Sequence, residues 1–483
     1  MSPTPTPDSL LIRDIHTLVS MEGNDPDRVA RVSDPRTRVK DPGHTGTPLL
    51  RGAYIYCENG EIKKVGTRVP PGLRAEKTIR APYAVAVPGL VNTHHHLFQT
   101  LTRACTAAAN AELFDWLTTL YPRWARIDEE AVHTAALVGL AELMLSGCTT
   151  TADHHYLFPR GQKKLIDAEI GAARRLGIRF HPTRGSMNVG VSRGGLPPDS
   201  VVQTTDEILE DSERVIRKYH DPLPGSMLRI ALAPCSPFTV DAELMRQTAA
   251  LARQHGIRLH THLAETRDEE EHCRKRFRQR PLDFFRDCGW LHEDTWVAHG
   301  IYFNARECGR LGRAGVGVAH CPTSNMRLAS GICPVGKLQR AGSPVGLGVD
   351  GSASNDSSNM LAEARQALLL NRLARGASAI TVHGALRMAT VEGARCLGRD
   401  DIGSIAVGKR ADIALFDLRD IGYSGAEDAL SALLLCAPTR VSTLVIEGRV
   451  VVEGGVLQGV SLVPILNRHR RIAARIVGRP PLL

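Results

Sequence analysis

The sequence predicts a closed parallel (β/α)8 barrel of the TIM type, with a small β-sandwich domain built from both chain termini. Three observations carry that expectation. Short apolar stretches alternate with helical patterns, making eight strand–helix units over roughly 300 residues. Several helical patterns end in a glycine that opens the next strand, as at Gly147, Gly177 and Gly256. The remaining β-rich stretches lie only at the two ends of the chain. An open doubly wound sheet is the alternative, but no phosphate-binding glycine fingerprint follows the first strand.

The expected barrel strands, in order, are AVAVPGLVNT, CTTTAD, IRFHPTR, LRIALAP, IRLHTH, TWVAH, VGVAH and PVGLGVD. Between them lie helical patterns such as Asp128 to Leu145 and Asp241 to His255. GAYIYCENGEIKKVG near the start, and ADIALFD and TLVIEGRVVVEGG near the end, supply strands for the small domain. The expected boundaries are 1–87 for the N-terminal part of that domain, 88–402 for the barrel, and 403–483 for the C-terminal part with a terminal helix. A polar, proline-rich segment from about 23 to 50 lacks periodicity and reads as a surface loop with no assigned job.

Composition narrows the class. Hydrophobic residues make up 43% and charged residues 23% of the 483, as in an ordinary globular protein. No apolar run approaches the ~20 residues of a membrane span, and the N-terminus lacks a signal-peptide pattern, so a cytoplasmic location is expected. Eleven dispersed cysteines without CxxC spacing read as reduced thiols and argue against a cysteine-based zinc site. The net charge of +9 comes from scattered arginines and a basic tail, NRHRRIAARIVGR, with helical apolar spacing. A nucleic-acid surface would want interleaved aromatics, and aromatics are only 5%, so no nucleic-acid partner is expected.

Chemistry in such a barrel sits at the C-terminal strand ends. The first strand ends in His94-His95-His96, the fifth in His260-Thr261-His262, the sixth in His299 and the eighth in Asp350. Strand alternation turns His94 and His96 to one side and His95 to the other. Two inward imidazoles, a third across the barrel and a carboxylate suit zinc or another first-row metal. A lone barrel histidine is ordinarily a hydrogen-bonded core residue, but four loaded strand ends resist that reading. Glu265, three residues after His262, can pass protons beside such a metal, although a first-turn helix glutamate is its plain alternative.

These motifs carry a family likeness. PGLVNTHHH, HTHLAET, WVAHG, AHCPTSN, GLGVDGSASND and GSIAVGKRADIALFD resemble segments of the amidohydrolase superfamily, over nearly the whole chain. Within it, the sequence is similar to the cytosine/guanine-type deaminases. Two-metal members of the superfamily usually carry a carboxylated lysine at strand 4, and LRIALAPCSPF has none, so one divalent metal is implied. The resemblance implies zinc, with Fe2+ as the other candidate, held by His94, His96, His262 and Asp350. Glu265 would be the proton shuttle, and Asp350 would share in managing the water's proton. His299 would steady the attacking water or join the ligands.

The stretches AELFDWLTTLYPRWARI, TTTADHHYLFP and RGSMNVGVSRGGLPPDSVVQ resemble the branch that acts on 8-oxoguanine. The implied reaction is 8-oxoguanine plus water giving urate and ammonia. Guanine, isoxanthopterin or an s-triazine such as hydroxyatrazine are the alternative rings. Gln99 and Arg184 each have an equally good structural reading, but the resemblance turns them toward substrate, with Ser186 a lesser candidate. His154 and His155 read as packing or supporting residues, Asn325 as a turn residue, and His320 stays open between substrate contact and bracing. A homo-oligomer is implied by the relatives.

Overall fold

The computed structural model describes residues 8–22, 38–39, 49–436 and 439–480. Apart from 38–39 and 49–50, the polar segment from about 23 to 50 lies outside the described residues. All eight expected barrel strands form. They are Leu90–Asn92, Cys148–His155, Arg179–Ser186, Ala231–Pro234, Arg258–Leu263, Thr295–His299, Gly317–His320 and Val345–Leu347. Each pairs in parallel with the next, and the eighth closes onto the first through Leu347 and Asn92. Almost every residue in these strands is buried, as expected for a sheet with side chains packed inside and helices outside.

The stretch AVAVPGLVNT is two strands rather than one. Ala84–Pro88 pairs antiparallel with Ile413–Asp417 in the small sheet, and Leu90–Asn92 enters the barrel. The break is at Gly89, where any Cβ would overlap the Thr149 side chain, so only glycine lets the chain change sheets this close to its neighbour.

Among the described residues the small sheet contains ten strands from both ends of the chain. Ser9–Val19 pairs antiparallel with Leu49–Glu58 and, through Thr17 and Leu18, parallel with Ala84–Pro88. Ile413–Asp417 extends that sheet to Thr443–Ile446 and Arg449–Glu453. Leu10, Ile12, Ile55, Ala86, Ile413 and Leu415 share its separate core. Arg179, at the start of the third barrel strand, ties the two units together. Its fully buried guanidinium pairs with Asp412 at 3.1 Å and with Glu447 at 2.6 Å.

The helices begin and end where the local chemistry directs. Asp128 accepts from Ala131 N at 2.8 Å and Asp241 from Leu244 N at 2.9 Å, capping helices Glu129–Leu145 and Ala242–Gln254. Gly177 closes helix Leu165–Leu176 in the left-handed conformation, with φ 73°. The basic tail is the helix Leu462–Val477, which buries Ile465, Ile472 and Ile476 and sets Arg468 and Arg475 against Glu130 and Asp128. Among the described residues no helix is long and apolar enough to cross a membrane.

Candidate active site

Four side chains from three strand ends converge at the C-terminal mouth of the barrel. His94 Nε2 and His96 Nε2 each lie 3.3 Å from Asp350 Oδ1, and His96 Nε2 lies 3.1 Å from His262 Nε2. His95 points away and meets Ser358 Oγ at 2.9 Å, as alternation requires.

The outer nitrogens set the tautomers. His96 Nδ1 donates to the His154 carbonyl at 2.7 Å and His262 Nδ1 to the Cys235 carbonyl at 2.7 Å. His260 Nδ1 donates to the Trp296 carbonyl at 2.9 Å, which leaves its Nε2 bare to accept from His94 Nδ1 at 2.8 Å. Each of the three inner histidines therefore turns an Nε2 lone pair inward.

Burial pushes all three imidazoles below their ordinary pKa, toward the neutral form that ligates. Burial alone would raise the Asp350 carboxyl, but the facing imidazoles of His94, His299 and His96 hold it well below the usual range. His94 Nε2 is buried with no hydrogen-bond partner. An orphaned inward nitrogen, two further lone pairs and a carboxylate are the donor set a divalent cation would satisfy. The residues fit the metal.

Beside this set, Glu265 Oε2 lies 3.6 Å from His299 Nε2. Burial pushes the Glu265 carboxyl up to about 7, where it can both accept and release protons near neutrality. Burial opposes charge on His299, yet Glu265 and Asp350 outweigh it and raise its pKa. His299 Nδ1 donates to Asn325 Oδ1 at 2.9 Å, so Asn325 is a supporting partner of the site and more than a turn residue.

The backbone is strained at this point. Ala264, His299 and Asp350 sit at φ 55°, 69° and 62°, a left-handed region that costs non-glycine residues about 1–3 kcal/mol each. Buried Glu269 holds one of these turns. Its carboxylate accepts from Ala264 N at 2.8 Å and from Glu265 N at 2.9 Å, fixing the peptide that aims Glu265.

A cavity with about 390 Å3 of empty space opens onto these groups, lined also by Gln99, Trp116, Tyr156, Ser236 and Phe238. Gln99 lines this cavity, with its buried Oε1 free of partners. A Cβ at Gly351 would overlap its amide, so the glycine after Asp350 leaves room for Gln99.

Arg184 and Ser186 do not line the cavity. Arg184 faces out of the barrel, where Nε donates to Asp211 at 2.9 Å and Nη2 to Gln203 at 2.8 Å, and its guanidinium stacks on Phe158 at 4.0 Å. Its donors are spent on neighbouring side chains and the Gly185 carbonyl, because alternation along the third strand turns position 184 outward. His154 stacks on His262 with ring centroids 4.7 Å apart, a bracing role. His155 lies outside the cavity, donating to or accepting from Glu169 at 2.8 Å. His320 is buried with neither ring nitrogen partnered.

Sequence reasoning missed His260 as the partner of His94, although its shared parity with His262 signals an inward ring. It also missed Glu269, hidden in the acidic run TRDEEE, and the aromatic wall of Trp116, Tyr156 and Phe238. No spacing rule marks those.

Residues 85–451 match the model of the amidohydrolase family. The chain belongs to this family. As an amidohydrolase it is 52% identical, over 92% of its own length and 99% of the relative's, to an 8-oxoguanine deaminase from Pseudomonas aeruginosa. It is 36% identical, over 91% and 95%, to a hydroxydechloroatrazine ethylaminohydrolase from Pseudomonas sp. (strain ADP). Among solved structures it resembles an atrazine chlorohydrolase from Arthrobacter aurescens TC1 complexed with zinc. That match has a TM-score of 0.87 and 31% identity over 96% of this chain and 100% of the other.

Proposed function

We propose that this amidohydrolase removes the exocyclic amine of a free purine-type base by hydrolysis, with 8-oxoguanine as substrate and urate and ammonia as products. One observation carries the reading: a buried glutamate, Glu265, stands within 3.6 Å of His299 beside four inward ligand atoms, in an aromatic cavity. The 52% identity to an 8-oxoguanine deaminase supports the choice of ring.

His94, His96, His262 and Asp350 would hold one divalent metal, zinc in this reading, as in the zinc-bound neighbour. When bound, such a cation supplies Lewis-acid activation of water at neutral pH. Glu265 takes the proton of the attacking water and delivers it to the ring nitrogen beside the amine-bearing carbon. His299, protonated and pinned by Asn325, donates from Nε2 to the oxygen that forms on that carbon. Glu265 then moves the remaining proton of the new hydroxyl to the amine, the C–O bond becomes a carbonyl as the C–N bond breaks, and ammonia leaves. Gln99 reads the polar edge of the ring, and Trp116, Phe238 and Tyr156 hold its faces and exclude water.

The test is turnover of 8-oxoguanine, guanine and isoxanthopterin, each separately, by the zinc-loaded enzyme, following urate by absorbance and ammonia enzymatically. Urate from 8-oxoguanine supports the reading; turnover of another ring alone replaces the substrate and keeps the site. A second reading, amine release from an s-triazine, is favoured by the 36% identity to the ethylaminohydrolase. Alkylamine release from hydroxyatrazine without urate formation would select it.

A further inference from the structure

The opposite, N-terminal face of the barrel holds a second cavity, with about 1150 Å3 of empty space, part of it open to solvent. Its floor is Trp296 and its walls include Arg229, Arg253, Arg258, His181 and His220. Most charges around it are matched. Arg253 donates to Asp294 at 3.1 Å, His292 lies 3.2 Å from the same carboxylate, and Arg399 pairs with Asp401 at 2.6 Å.

Two arginines are not matched. Arg258 makes one hydrogen bond, from Nη2 to the Cys396 carbonyl at 3.1 Å, and its Nε is buried without a partner. Arg229 donates only to Ser226 Oγ and to the carbonyls of Gly398, Pro222 and Leu223. Among the described residues neither pairs with a carboxylate. Exposed Glu293 is the remaining acid at the cavity. Both side chains are partly buried, and withdrawing a guanidinium from water without a counter-charge is costly unless a ligand or water completes it.

Gly398, left-handed at φ 67° after helix Val391–Cys396, lies against the Arg258 side chain. The guanidinium lies 5.8 Å from the centre of the Trp296 ring. The other wall residues include the apolar Ile257 and Leu397.

We propose that this face carries a second binding site, for a small organic anion bearing a carboxylate or phosphate, with Arg258 as its donor and the carboxylate-free charge of Arg229 beside it. Guanidinium forks suit both oxyanions, and the Trp296, Ile257 and Leu397 surface takes the apolar body of the ligand. The volume exceeds what an inorganic ion needs. The site is separate from the metal centre: the Trp296 ring, stacked on His260 at 4.4 Å, stands between them.

The test is calorimetric titration of the metal-loaded enzyme with inorganic phosphate, citrate and a nucleoside monophosphate, in wild type, Arg258→Gln and Arg229→Gln. Circular dichroism and turnover check that each variant is folded. The expected result is saturable binding of at least one organic anion, tighter than inorganic phosphate, and weakened about tenfold or more in both variants. Turnover of the preferred base stays unchanged in both. Arg258→Lys keeps the charge without the fork and falls between wild type and Arg258→Gln. Phosphate binding equal to the organic anions would narrow the ligand to phosphate itself and overturn the organic part of the proposal. No saturable heat with any probe, or equal affinity in wild type and variants, would overturn the site.

Discussion

One strand, Arg258–Leu263, joins two ends of the barrel that use charge in opposite ways. At its C-terminal end the groups are imidazoles, pressed toward neutrality by burial and held as lone-pair donors by carbonyls behind them. At the N-terminal face the groups are guanidinia, charged at any working pH and mostly matched by carboxylates. Rings held neutral offer lone pairs to a cation; permanent cations pair with carboxylates and, in the site proposed above, await an anion. The comparison also explains why one face carries backbone strain at Ala264, His299 and Asp350, while the other carries buried ion pairs such as Arg179 with Asp412.

The largest effect expected is on the chemical face. Glu265→Gln keeps the shape of the side chain and removes its basicity, lowering kcat by about 10²- to 10⁴-fold. Metal content, measured by elemental analysis, stays at the wild-type level, because Glu265 is not among the inward ligand atoms. Loss of metal together with activity would move Glu265 into the ligand set and blur the division between the faces.

At the N-terminal face, Arg179→Met leaves the buried Asp412 without its cation at the junction of barrel and sheet, while Glu447 keeps Arg410. A loss of about 3–5 kcal/mol is expected, read by denaturant unfolding. The kinetics of the surviving folded enzyme should change little. A kinetic defect as large as the stability defect would show that the two faces are coupled.

Glu269→Gln sharpens the comparison from within the active face. It weakens the grip on the Ala264 and Glu265 amides, so kcat falls about tenfold with KM nearly constant, because the proton shuttle is misaimed while the cavity is intact. A rise in KM at constant kcat would assign Glu269 to substrate binding instead.

The smallest effect belongs to the outer helices. Burial alone would raise the Asp167 carboxyl, but hydrogen bonds from Arg214, Lys218 and Tyr219 hold it well below its ordinary value of 3.8. A depressed folded-state pKa adds stability that is present above the ordinary value and lost as pH falls through the folded one. Asp167→Asn should therefore cost under about 1 kcal/mol near neutrality, since its partners are half-exposed. The difference from wild type should vanish in strong acid, as read by thermal unfolding across pH.

Much of this was legible in the chain. Eight apolar stretches, glycine stops and polar strand ends determine the barrel, because burial on both faces leaves a continuous apolar signature. Alternation alone separates His94 and His96 from His95, and the same parity places His260 with His262. The aspartate caps at Asp128 and Asp241 are local chemistry, and local chemistry is what a sequence records best.

What only the tertiary structure decided is where long side chains end. Arg184 has the right strand and height for a substrate contact, yet it turns outward to Asp211 and Gln203, partners on the next helix and loop. Asn325 reaches His299 because the seventh strand lies beside the sixth, and Arg258 reaches Cys396 because the chain returns under the barrel. The division of AVAVPGLVNT at Gly89 depends on Ile413–Asp417, more than three hundred residues later in the chain, arriving as its partner. Periodicity reports which face of an element is buried; it says nothing about which remote group will meet it there, because that meeting is set by the packing of the whole chain.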